Sequence, residues 1–420
     1  MTLDKILKYS TILVLLPALY TGFYPGKIVI VNNACMLIYC VLLLFRFSYL
    51  KNNEHDSDNV FKLYVLFLII TYIRGFFNLD YIVDYYEQVS MTFVTFLLPS
   101  WMLLATRHNI AILWKSFMTI GVAMCFLMTI YEPTDGMMSM AHNMLWLNVF
   151  IFLRPYIQKK YYLIVLALAL YIVFFDLDRR SIMLGYVVPV VILLVYKFIR
   201  TRTLKRMVFY TVAAIPMVLI LAFATKTFNV FEYMEESNQD SRTRADGRAL
   251  FVDSRTGIYQ DVIDGISKGK DWKTSLFGLG GNGKVKTINN GYDTNGMVGL
   301  RNGQESGMLN YIQYGGILGC LAYSLLILVG AYRCIIRSRN DFMLMLGYFL
   351  LFKYVYSFIE DTVTYNGHTY YQFLWYGMAY NRYFRSMTNQ EFKTYIRNNI
   401  FNFGAKKKKY VQYNQNNIPA

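Results

Sequence analysis

About twelve apolar stretches, each near the roughly 20 residues that carry an α-helix across a bilayer, dictate what this chain can become. They run roughly over 7–25, 27–50, 60–79, 87–106, 109–131, 138–156, 161–177, 181–200, 207–226, 306–334, 341–361 and 367–384. The expected fold is therefore an all-α integral membrane protein, a single polytopic domain over 1–420, with about twelve transmembrane helices and one large external loop. Composition agrees. Only 16% of residues are charged and 55% are hydrophobic, against about 25% charged in soluble domains. Aromatics make up 17% of the chain, a usage that fits anchoring at lipid interfaces.

The formal net charge of +16 raises nucleic-acid binding as a question. Lys and Arg are interleaved with the apolar stretches instead of forming one basic face, so they serve as orienting loop charges and no nucleic-acid partner is expected. One set of span ends carries Lys5 and Lys8, Arg46 and Lys51, Arg107, Arg154 with Lys159 and Lys160, the run from Lys197 to Arg206, and Arg333 to Arg339. The opposite set is mostly acidic: Asp80, Asp84, Glu87, Glu132, Asp135, Glu360 and Asp361. This alternation places both termini in the cytoplasm, with a basic cytoplasmic tail over 386–420. The N-terminal apolar stretch lacks an A-x-A cleavage site and reads as a retained first span.

The five cysteines fall in or beside apolar stretches without zinc-ligand spacing, so they read as packing residues and no metal site is expected. The one large hydrophilic segment, 228–305, lies between the ninth and tenth spans and is external by topology. It is expected to form a partly helical cap, with "RTGIYQDVIDGISKG" an amphipathic helix.

Within that cap, Gly278, Gly280 and Gly283 satisfy G-x-G-x-x-G, and Gly278, Gly283 and Lys284 satisfy G-x-x-x-x-G-K. Nucleotide cofactors are cytoplasmic, whereas this loop is external. Val285 stands where a P-loop needs a Ser or Thr for Mg²⁺, and turn-forming residues follow in place of a helix. No cofactor is expected. The glycines are left as either a cradle of backbone amides for another anion or a flexible turn.

External basic residues carry the chemistry. Arg179 and Arg180 follow "FFDLD" at the outer edge of a span, where a charge is costly to bury and marks a candidate site. Arg255 opens the amphipathic cap helix, where guanidinium and helix N-terminus both favour anions. Arg301 and Glu305 stand at the mouth of the tenth span, ahead of Gly315, Gly316 and Gly319, glycines that permit close helix packing. Partial burial would raise the Glu305 carboxyl toward the working range of a general base. His368 is external, one loop later.

The order of these pieces resembles the O-antigen polymerase and O-antigen ligase superfamily of bacterial envelope polysaccharide enzymes. "DRRSIMLGY" opens a span, and a large external loop follows with "SRTGIYQDVI", "LFGLGGNG" and "ESGMLNYIQYGGILGCL". The resemblance covers roughly 175–335 by motif and the remainder by hydropathy. It implies a metal-independent, inverting glycosyltransferase of GT-C-like fold in the bacterial inner membrane. Such an enzyme moves glycan from an undecaprenyl-pyrophosphate-linked oligosaccharide to an acceptor sugar hydroxyl at the periplasmic face. By the same resemblance, Arg179 or Arg180 and Arg255 clamp the pyrophosphate and Glu305 is the base; Arg301, at the mouth of the tenth span, is a further candidate for the pyrophosphate, and a chain-length regulator protein and membrane lipid are expected partners. The external loop has no D-x-D pair, so arginines would carry the electrostatic role of a metal. Ligases of the superfamily bear a His near the mouth of the tenth span. Glu305 stands there in this chain, which favours a repeat-unit polymerase over a ligase. Lys353, a mid-span charge, supports a flippase or other transporter as the non-enzymatic alternative.

Overall fold

The computed structural model describes residues 2–21, 34–35, 37–39, 41, 59–89, 98–124, 127, 144, 146–175, 180–224, 255–268, 270–286, 300–301, 303, 306–359 and 367–401. These residues are mostly helical, as expected. The longer helices are α1 (Leu3–Thr21), α2 (Asn59–Gly75), α3 (Ile82–Glu87), α4 (Arg107–Ser116), α5 (Lys159–Phe175), α6 (Arg180–Val195) and α7 (Arg202–Ala224). They continue with α8 (Arg255–Ser267), α9 (Trp272–Phe277), α10 (Gly307–Arg337), α11 (Asp341–Tyr356), α12 (Gly367–Tyr380) and α13 (Asn389–Asn399).

Two stretches among the described residues, Asn59–Asn78 and Gly307–Arg337, are long and apolar enough to cross a membrane. Other apolar helices coincide with expected spans: α5 and α6 are shorter, at 17 and 16 residues, whereas α7 runs for 23 residues with Pro216 inside it. The described part of the stretch 109–131 begins in α4, and a π-helical turn, Phe117–Gly121, follows. Helix starts follow side-chain capping: Thr106 accepts from the Asn109 amide, and Asn340 accepts from the Met343 amide.

α10 is the central helix and packs against α2, α11 and α12. Along α2, Leu63, Leu66, Ile69 and Ile73 are exposed; along α5 and α6 so are Leu163, Ile164, Val187 and Leu194. Rows of exposed aliphatic side chains along helices call for an apolar covering. The interior differs from expectation. Many of the tyrosines assigned by composition to lipid interfaces are buried in the bundle, where their hydroxyls pair with one another. Tyr64 bonds Tyr311 at 2.5 Å, Tyr39 bonds Tyr370 at 2.9 Å, and the buried Gln372 amide donates to the hydroxyls of Tyr376 and Tyr323. Tyr311 and Tyr323 also stack with ring centroids 4.0 Å apart. A buried phenol favours a hydrogen-bond partner, and in this cluster the phenols and Gln372 supply partners to one another.

The polar ends of the helices sort into two groups. At one end, Arg107 donates to the Tyr383 hydroxyl at 2.8 Å and the Tyr395 hydroxyl donates to the Arg107 carbonyl at 2.6 Å. Asp4, in the first turn of α1, meets His108 at 3.0 Å, so the first and last described helices both reach the start of α4. The head of the expected tail, 386–420, is partly structured. A Thr388–Glu391 capping box starts α13, which buries Phe392, Tyr395 and Ile396 against the bundle. Residues 402–420 lie outside the described residues. Cys35, Cys320 and Cys334 are unpaired thiols in or near the core, in line with a packing role.

Candidate functional site

The other polar end holds the part of the cap that the structure describes. Its pieces are α8, α9, the glycine loop and a two-residue hairpin of β1 (Val285–Lys286) with β2 (Leu300–Arg301). The expected cap helix is present, and Arg255 is its first residue. Its apolar face exists because Ile258 and Val262 fall one turn apart. They close over Val285 and Leu309, with Leu279 and Ile312 packed alongside. The Tyr259 hydroxyl donates to the Phe358 carbonyl and so ties α8 to the end of α11. There, Ser306 Oγ and the Met308 amide both donate to the Ser357 carbonyl at 2.8 Å, which pins the mouth of α10 beside the end of α11.

The glycine loop is where the chain departs most from a nucleotide fingerprint. Asp271 caps α9, and Gly278 ends it at φ +69° and ψ −166°, a conformation open almost only to glycine. The loop then docks on a break in α10. Gly316 adopts φ +62° and ψ −155° inside that helix. The break interrupts the helical ladder that would engage the Gln313 and Tyr314 carbonyls, and the loop amides take them instead. Leu279 donates to Gln313 at 2.8 Å and Gly280 to Tyr314 at 2.9 Å. A Cβ on Gly278 would lie 2.4 Å from the Gly316 nitrogen, and a Cβ on Gly316 would lie 2.5 Å from the Gly278 nitrogen, so only two glycines can meet here. The expected close packing at Gly315 and Gly319 is present too, against the Phe67 ring.

α2 closes the other side. Arg74, its penultimate residue, donates to the Phe277 and Gly278 carbonyls at 2.5 and 3.0 Å. Asn78 donates to the Leu279 carbonyl, and the Gly281 amide donates to the Thr71 carbonyl at 2.9 Å. Gln313, fully buried, donates to the Gly283 carbonyl at 2.7 Å. Lys284, the residue that completes the P-loop pattern, makes a 2.6 Å ion pair with Asp84. Burial pushes the Asp84 carboxyl up. The Lys284 ammonium and the Tyr81 and Asp80 amides outweigh that and hold it below the usual carboxylate value.

These bonds decide between the two readings of the glycines. The amides of Gly278, Leu279, Gly280, Gly281 and Gly283 all donate to protein carbonyls, so Gly278 and Gly280 do not offer the anion cradle that one reading required. Nor is the loop a flexible turn: it is a latch clamped between α2 and α10. The residues that clamp it, Arg74, Asn78, Asp84 and Gln313, were not singled out as site residues. The legible signals among them are charges: Arg74, next to a glycine at the end of an apolar span, and Asp84, at an acidic span end.

The latch brings two of the expected site residues, Arg301 and Arg255, onto neighbouring elements. Arg301 lies in β2, in register with Val285, two positions beyond Gly283. Arg255 begins α8, whose inner face covers that same valine. Arg180 begins α6, a helix that packs against α11, and His368 is the second residue of α12. Arg179 and Glu305 lie outside the described residues. Asp261, on α8, is a residue that the sequence did not single out: it is buried, and its Oδ2 makes no hydrogen bond among the described residues. Comparison of the chain with protein-family models, curated proteins and solved structures gives no match.

Proposed function

We propose that the chain is a polysaccharide repeat-unit polymerase of the bacterial inner membrane, with both termini cytoplasmic and the latched cap facing the periplasm. One observation carries this reading. The helix opened by Arg255, the strand bearing Arg301 and the mouth of α10 converge at one polar end of an apolar helical body. Two guanidinium-bearing elements fixed at a lipid boundary suit a donor with an apolar tail and a diphosphate head.

In the proposed reaction the acceptor sugar hydroxyl attacks the anomeric carbon of a lipid-linked oligosaccharide. The new carbon–oxygen bond forms as the bond to the pyrophosphate breaks, and undecaprenyl pyrophosphate leaves with the electron pair. Glu305 accepts the hydroxyl proton, and attack from the opposite face inverts the anomeric centre. Arg255 and Arg301, with Arg179 or Arg180, stabilise charge developing on the leaving diphosphate. Preorganised donors of this kind are often the largest single catalytic term.

The test is the envelope glycan profile of a deletion strain complemented with variants. Parent protein restores long-chain ladders, whereas Arg255→Ala inserts in the membrane and leaves single repeat units attached. Normal ladders from that variant would overturn the assignment, and lipid-linked polymer left unattached in the null strain would indicate a ligase. A transporter reading draws on Lys353, buried in α11 with its ammonium 5.2 Å from the Tyr356 ring centroid. Chain elongation by purified protein in detergent, with no second compartment, excludes it.

A further inference from the structure

At the end of the bundle opposite the cap, a cavity of about 280 Å³ opens between the end of α6 and the starts of α7 and α11. Its polar lining is Tyr196, Lys197, Arg200, Lys205 and Asp341, with Leu344 and Ile199 as apolar walls. Three cations face one carboxylate, so the cavity carries a positive excess. Lys205 is half-buried, and burial pulls its ammonium below the usual lysine value although the Asp341 charge opposes that pull. The cavity therefore favours an anion able to stand beside a partly desolvated ammonium.

The surroundings narrow the class of anion. Phe198, between two lining residues, is 78% exposed; Leu194 and Met207, in the adjoining helices, are 59% and 60% exposed. A soluble phosphate would use the cations and leave these side chains in water. An anionic lipid satisfies both, with its phosphate in the cavity and its acyl chains along α6 and α7. Basic pockets among helix ends at a cytoplasmic interface are the setting in which anionic headgroups bind.

We propose that this cavity is a binding site for the phosphate headgroup of an anionic phospholipid in the leaflet that faces the Lys- and Arg-rich helix ends. The site depends on the chain lying in a membrane and not on the chemistry at the opposite end. Phospholipid binding and polysaccharide synthesis can thus fail independently.

The experiment is native mass spectrometry of the full chain released from nanodiscs of phosphatidylglycerol mixed with phosphatidylcholine, with affinity from titration of phosphatidylglycerol into delipidated protein. Parent protein is expected to retain phosphatidylglycerol in preference to phosphatidylcholine, and the preference to weaken as salt rises. Lys205→Gln should weaken phosphatidylglycerol affinity about fivefold, and Lys197→Gln with Arg200→Gln further, since each basic residue beside an anionic surface contributes about that factor. Asp341→Asn leaves every cation in place and should tighten binding, which separates loss of a site from loss of fold. Equal retention of the two lipids overturns the proposal. So does an unchanged affinity in the Lys205 variant, or saturation by millimolar inorganic phosphate that leaves lipid retention unaltered.

Discussion

Substituting Gly278 by alanine tests the latch at its tightest point. The residue sits at φ +69° and ψ −166°, where a side chain costs about 1–3 kcal/mol in backbone strain alone. The added methyl would also lie 2.4 Å from the Gly316 nitrogen and 2.5 Å from the Gly315 nitrogen. Those atoms are backbone, so the loop and α10 must separate. Separation forfeits the bonds from Leu279 to Gln313 and from Gly280 to Tyr314, and an amide or carbonyl left unpaired in a buried site costs about 1–3 kcal/mol. Strain and the two lost bonds add to about 3–9 kcal/mol, part of which the cap can recover by lifting away. Equilibrium unfolding in mixed micelles, with helical signal followed against the fraction of SDS, reads the stability. Limited proteolysis within 255–286 reads whether the cap has detached. Lys286→Ala, at an exposed position of β1, is the control and should change stability by less than about 0.5 kcal/mol. Gly316→Ala should behave like Gly278→Ala. The double variant should cost much less than the two losses added, because both methyls break one contact. A Gly278→Ala protein within about 0.5 kcal/mol of the parent, with a protected cap, would refute this account of the glycines.

Lys284→Met strands a carboxylate at Asp84 whose side chain is 2% exposed. It should cost about 3–5 kcal/mol in the same unfolding assay, whereas adding Asp84→Asn should restore part of that loss. Because the folded-state value of Asp84 is lowered, the pair's contribution is present above the ordinary carboxylate value and is lost as pH falls below it through the folded value. Cap protection from protease should therefore hold at neutral pH and weaken only in acid below about pH 4. Asn381→Ala removes a buried side chain that caps the turn at Tyr383 and Phe384 and donates to the Ala105 carbonyl. A drop of about 2–4 kcal/mol in micelle unfolding is expected at that far end, with the cap still protected.

Much of the helical framework is legible because apolar runs of bilayer length leave a chain few alternatives. α2, α5, α6, α10 and α11 begin within a few residues of the stretches that hydropathy marks. The cap helix was legible for a related reason, since Ile258 and Val262 recur at helical spacing amid polar residues. The latch was not. G-x-G-x-x-G describes a backbone that can turn tightly, and the same freedom serves phosphate binding or a glycine-to-glycine contact. Which one holds depends on the partner, here a helix break at Gly316 contributed from more than thirty residues away. Arg74, Asp84 and Gln313 are also remote from the loop in sequence, and only folding shows that they clamp it. The docked helix α13 was hidden by the basic composition of the surrounding tail, which masks the apolar face of Phe392, Tyr395 and Ile396.

The most direct test of the proposed chemistry uses purified protein in detergent, given only undecaprenyl-pyrophosphate-linked repeat units. The prediction is a ladder of lengthened lipid-linked glycans, with one undecaprenyl pyrophosphate released for each bond made and neither product formed by the Arg255→Ala protein. Intact donor after prolonged incubation with folded parent protein, or equal turnover by the arginine variant, would contradict it.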